Sequence, residues 1–146
     1  MIRSALGAVA LVVAVLAPIR AAAADLPTAV LAPYLQLQTA LAADSLPDAQ
    51  AAAKTLVEQA ERLGPALKAA GVAAGKVAGA ADIKAARTAF GDLSDAMLVL
   101  AGGETGGKDV RIAYCPMVKK SWLQKGTVIA NPYYGSQMLR CGEFKK

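Results

Sequence analysis

From Leu26 to Leu100 the chain is alanine-rich, and its larger apolar residues recur at steps of three and four between proline and glycine breaks. A chain patterned this way buries its apolar residues by laying amphipathic helices side by side. Leu26–Ala43 carries Val30, Leu31, Tyr34, Leu35, Leu37 and Leu41 on one broad face. Pro33 lies inside it and costs a backbone hydrogen bond, so the regular helix is expected to start near Leu31 or to kink there. Asp44 or Ser45 can cap the next helix, with Pro47 in its first turn. That helix, Pro47–Leu63, pairs Lys54 with Glu58 and Glu58 with Arg62 at i,i+4 spacing, which reads as a solvated face. After Gly64-Pro65, the segment Ala66–Ala81 mixes alanine with Gly71, Gly75 and Gly79, and a short helix or loose connection is expected there. Asp82–Leu100 resumes the periodicity through Ile83, Ala86, Phe90, Leu93, Met97 and Leu100 as the third helix. The expected fold is all-α: an antiparallel bundle of three helices, or up to four, with an irregular C-terminal lid.

Upstream of this region, Arg3 precedes an apolar run, Ala5–Leu16, followed by Pro18 and the small residues Ala22-Ala23-Ala24. This is the pattern of a secretory signal peptide over residues 1–24, leaving one domain, 25–146, with a Cys/Met segment at 109–146. The apolar run is shorter than the roughly 20 residues a spanning helix needs. A periplasmic or secreted location is expected, with no membrane association after cleavage. Arg3 and Arg20 belong to the signal, so fourteen of the sixteen basic residues remain against eleven acidic ones. Without a basic stripe, and with aromatics at only 5 %, nothing favours nucleic acid as a partner.

The chain contains no histidine. Ser-His-Asp and Cys-His nucleophile pairs, H-E-x-x-H sites and Cys2His2 zinc sites are therefore excluded, and no enzyme activity is expected. Gly102–Lys108 matches G-x-x-x-x-G-K, but Asp109 stands where a phosphate loop needs Ser or Thr, and a helix precedes it where a strand is required. A glycine stop ending the third helix explains the same residues.

Chemistry is concentrated in Tyr114–Gly142, which holds both cysteines, the tryptophan and two of the four methionines. Val110–Cys115 reads as extended, because the residue before Pro116 avoids the α region, and this sends Cys115 and Met117 to one side. Ser121–Gln124 reads as a helical turn and Asn131–Gly135 as a tight turn. A short helix capped by Ser136 and ending at Gly142 would put Met138 and Cys141 on one face. Two readings of the sulfurs stand side by side. Cys115 and Cys141 can join as a disulfide worth about 3 to 4 kcal/mol. Alternatively Cys115, Met117, Met138 and Cys141 form a soft-metal site, since thiolate and thioether ligands together select Cu(I). Met97 on a helical apolar face reads as core filling, and Trp122 reads first as packing. Both sulfur readings require the segments on either side of Trp122 and Asn131-Pro132 to converge.

The order Cys115-Pro116-Met117, Trp122-Leu123-Gln124, Asn131–Gly135, then Met138-Leu139 and Cys141-Gly142, resembles a small domain of unknown function. That domain is found alone in periplasmic proteins or attached to adaptor subunits of copper and silver efflux pumps. Arg87, Phe90, Leu93 and Ser94 are similar to its upstream pattern. The resemblance implies a helical periplasmic domain connected to copper handling, with a metal-efflux or copper-handling protein as partner.

Overall fold

The structure, a computed structural model, describes residues 26–105 and 107–146. The signal-peptide reading of residues 1–24 lies outside the described residues. Among the described residues four helices come first: α1 (Thr28–Ala42), α2 (Leu46–Leu63), α3 (Lys68–Ala78, entered through a 3-10 turn at Pro65–Leu67) and α4 (Ile83–Leu100). Three strands follow, β1 (Val110–Cys115), β2 (Lys120–Lys125) and β3 (Glu143–Phe144), forming an antiparallel sheet of order β2-β1-β3. The all-α expectation is therefore corrected: the C-terminal segment is a small sheet laid on a helical array, not an irregular lid.

Each helix packs on the next, and β2 packs on α4 and α1. Helix α1 starts at Thr28 and runs through Pro33, with Val30, Leu31, Tyr34, Leu37 and Leu41 buried. This burial outweighs the one bond the proline forfeits. Asp82 caps α4, its side chain accepting from the Ala85 amide at 2.8 Å. The helix stops at Gly102-Gly103 with the Gly103 amide bonded to the Leu98 carbonyl at 3.0 Å, the Schellman closure that the glycine-stop reading anticipates. Segment Ala66–Ala81 is a full helix through most of its length. Ala70, Ala73, Ala74 and Val77 are buried between its neighbours, so tertiary contact offsets the cost of its glycines. Of those glycines Gly71 lies against α2, where an added Cβ would come within 3.1 Å of Ala60.

Segment Ser121–Gln124 is a strand, not a helical turn. All four residues are buried, so the polar-apolar alternation that marks a half-exposed strand is missing. Its hairpin turns through Pro116–Lys119 with Lys119 at φ +53, a left-handed position without the usual Gly or Asn signal. The outer edge of β2 is closed by two tyrosine hydroxyls. That of Tyr34 accepts from the Leu123 amide at 3.1 Å, and that of Tyr133 donates to the Ser121 carbonyl at 2.9 Å. Tyr34 also shares a 2.7 Å hydrogen bond with Ser94 of α4, so one side chain ties α1, α4 and β2 together. Burial pushes both hydroxyls well above the usual tyrosine range and keeps them protonated. A series of rings in contact runs through this junction from Tyr34 to Phe90 to Tyr133 to Trp122, the first pair stacked, the second tilted and the third edge-to-face, with successive centroids 5.3, 5.7 and 5.8 Å apart.

A polar clasp joins the same three regions at the surface. Arg87 of α4 donates through Nε to the Pro132 carbonyl at 3.0 Å and through Nη2 to the Leu41 carbonyl at 2.9 Å, and it also pairs with Asp44. Asp44 in turn accepts from the Ser136 amide at 3.0 Å. The bonds from Ser136 and Arg87 lower the Asp44 carboxyl from 3.8 to about 2. The turn Asn131–Gly135 is thus bolted to the bundle through the arginine of the upstream motif.

Candidate metal centre

Cys115 is the last residue of β1 and is fully buried. It shares a sheet face with Ala113, and hence with Trp122, which pairs with Ala113 across the hairpin. Strand β3 sets Tyr114 opposite Glu143. Continuing that register by one residue brings Gly142 opposite Cys115 and leaves Cys141 diagonal to it. That register sets the Cys141 side chain close to Cys115. The Cys141 pKa is raised, first by desolvation and then by the neighbouring Cys115. Both cysteines are free thiols in the structure. The two segments on which both sulfur readings depend therefore meet.

The return of the chain to β1 depends on Gly142, at φ +132. A Cβ there would fall 2.8 Å from the Tyr114 carbonyl and 3.1 Å from the Trp122 ring. Trp122 forms the floor beneath, and its Nε1–H donates to Gln124 Oε1 at 3.0 Å. Gln124 also accepts from the Ala130 amide at 3.1 Å and donates to the Val128 carbonyl at 2.9 Å, folding residues 126–130 back over β2. The next residue, Asn131, is completely buried and holds the loop leading to Cys141. The Trp-Leu-Gln and Asn-Pro motifs are thus the scaffold of the thiol pair.

The methionines are placed differently from the cysteines. Met117 sits in the β1–β2 turn and is 60 % exposed, and Met138 is 37 % exposed. The helix expected to carry Met138 and Cys141 on one face does not form. In its place are a 3-10 turn, Gly135–Gln137, and then a turn in which the Cys141 amide donates to the Met138 carbonyl at 2.9 Å. Both thioethers stand at the surface beside the chain segments that carry the thiols. Met97 is buried in α4 as core filling.

Chemically, the donors are soft. Among the described residues no three Cys, Asp, Glu or His side chains gather. A closed four-ligand zinc site or a carboxylate cage is not built here, whereas two adjacent thiols with thioethers nearby in the chain suit a soft cation. Sequence reasoning singled out the four sulfurs, but it gave Gln124 and Asn131 only as motif members and Asp44 only as a cap candidate, not as supports of the site. The available signal was the Asn-Pro turn, because an asparagine at such a position bonds its own backbone two residues on. Among the described residues no helix is long and apolar enough to cross a membrane.

A family model described as protein of unknown function (DUF3347) matches residues 30–105, taking in α1 from Val30 through the end of α4 and stopping before β1. No curated protein and no solved structure matches the chain. Since the match spans more than half of its length, the chain belongs to this family of proteins of unknown function, DUF3347.

Proposed function

We propose that this protein binds a soft monovalent cation, Cu(I) or Ag(I), in the periplasm or outside the cell, for hand-off to a metal-efflux or copper-handling partner. Cys115 and Cys141 are the thiolate ligands, and Met117 and Met138 the thioethers. The observation that carries the reading is the β1–β3 register, which brings the two cysteines together from opposite ends of the C-terminal segment. The resemblance of the Cys-Pro-Met and Cys-Gly motifs to domains attached to copper and silver efflux adaptors supports it further, as does the signal-peptide pattern. The cation has to displace the thiol protons, and desolvation and the neighbouring Cys115 hold that of Cys141 more firmly than usual, so binding tightens as pH rises. No catalytic role accompanies this function.

An anaerobic titration of reduced protein with Cu(I), against a bicinchoninate competitor, tests the proposal. The expected result is one equivalent withheld from the competitor, more tightly at higher pH. Cys115→Ser and Cys141→Ser abolish this, while Met117→Leu and Met138→Leu weaken it. No competition by the reduced wild type would defeat the proposal.

A second reading has its own support. Cys115 is fully buried, and the β1–β3 register brings Cys141 beside it. In an oxidising compartment such a pair closes as a disulfide that pins the sheet to the bundle, making a structural or interaction module without metal. Under this reading the methionine and serine variants differ from wild type in stability and not in copper competition.

A further inference from the structure

We propose that Asn131 is a positioning residue that holds Cys141 beside Cys115, setting how readily the two sulfurs act together. All four of its polar groups are engaged on the loop leading to Cys141. Its Nδ2 donates to the Cys141 carbonyl at 2.7 Å, and its Oδ1 accepts from the Tyr133 amide at 2.8 Å. Its own amide donates to the Leu139 carbonyl at 2.8 Å, and its carbonyl accepts from the Gly135 amide at 3.1 Å. Residues 131–141 are thereby closed into a loop with the buried Asn131 side chain at its centre. Tyr133, whose amide that side chain holds, anchors the loop to β2 through its hydroxyl. The Nδ2 bond is the only one of the four that grips Cys141 itself. Without it, Cys141 is tethered through its amide to Met138, in a chain segment with exposed side chains on either side.

The inference rests on Cys115 and Cys141 being the working pair, and it is independent of whether they hold metal. Proximity of two thiols is read directly by their exchange equilibrium with glutathione. The protein dithiol gives up two electrons and two protons and forms one S–S bond, while oxidised glutathione takes them up, its S–S bond breaking to give two reduced glutathione molecules. The equilibrium constant reports the effective concentration of one thiol at the other.

The decisive variant is Asn131→Asp. It is isosteric and keeps an oxygen to accept from the Tyr133 amide, but it turns a lone pair toward the Cys141 carbonyl. The expected result is a fall of about tenfold in the equilibrium constant at pH 8, because the half-buried Cys141 carbonyl loses its donor. Gly135→Ala, which disturbs the same loop at the Asp44–Arg87 clasp without touching the Cys141 carbonyl, keeps the constant within about twofold of wild type. A fall of the same size in Gly135→Ala would mean general loosening and would overturn the proposal. So would a constant close to wild type in Asn131→Asp. Should Asn131→Asp not fold, Asn131→Ser carries the test. Its hydroxyl still accepts from the Tyr133 amide but is too short to reach Cys141. The same tenfold fall is expected with the circular dichroism spectrum unchanged, and a wild-type constant overturns the proposal. Because no metal enters this measurement, its failure and the failure of copper binding are told apart.

Discussion

Replacing Gly135 by alanine lowers stability by on the order of 3 kcal/mol, the sum of a left-handed backbone penalty and the loss of the clasp it abuts. Gly135 has φ +57, and a Cβ built there lands on the Asp44 carboxylate and the Arg87 guanidinium, well inside van der Waals contact. Neither group can retreat freely, since Arg87 is held by the Pro132 and Leu41 carbonyls and Asp44 by the Ser136 amide. Urea unfolding followed by circular dichroism measures the loss. The same change at Gly75, where an added Cβ meets nothing, raises stability by about 1 kcal/mol through helix propensity alone. Acid supplies an internal check. The folded Asp44 carboxyl is lowered to about 2 from 3.8, so its contribution is present above the unfolded value and is lost as pH falls through the folded one. The gap between wild type and Gly135→Ala therefore narrows as pH drops from about 4 to about 2.

Trp122→Ala is expected to cost about 3 to 5 kcal/mol, the range for emptying a fully buried aromatic site. Trp122 is fully buried, ends the ring series that begins at Tyr34, and supports Gly142 from below. Its removal also frees the segment bearing Cys141, so copper competition and disulfide closure both weaken along with thermal stability. Val128→Ala, on the nearby exposed loop, serves as the comparison and changes stability by less than about 0.5 kcal/mol. Loss of stability in Trp122→Ala with unaltered thiol behaviour would separate the core from the site and contradict this account.

How far the sequence could be read follows from where its signals are local. Helices α1, α2 and α4 were legible because Leu37, Leu56, Phe90 and their neighbours repeat at helical spacing between proline, glycine and Asp82 boundaries. Helix α3 was half-legible, since three glycines argued against it and only the neighbouring helices, invisible locally, stabilise it. Strand β1 was legible, since Val110–Cys115 reads as extended, but the sheet it pairs into was not. Ser121–Gln124 is buried throughout, β3 is two residues long, and the hairpin turns on a lysine. Strand pairing between residues about thirty positions apart leaves no periodic trace. At the candidate site the sulfur residues stand out by type. The diagonal placement of Cys115 and Cys141 comes from the β1–β3 register and the buried Asn131, neither of which a local pattern reveals. The shared helix face for Met138 and Cys141 was drawn from i,i+3 spacing in a segment that folds as turns.

X-ray absorption at the copper edge, on reduced protein loaded anaerobically with one equivalent of Cu(I) and desalted, tests the central claim most directly. A first shell of sulfur alone, lost together with the copper in Cys115→Ser and in Cys141→Ser, is the predicted result. Copper that washes out of the wild type, or that sits among nitrogen and oxygen neighbours, would contradict it.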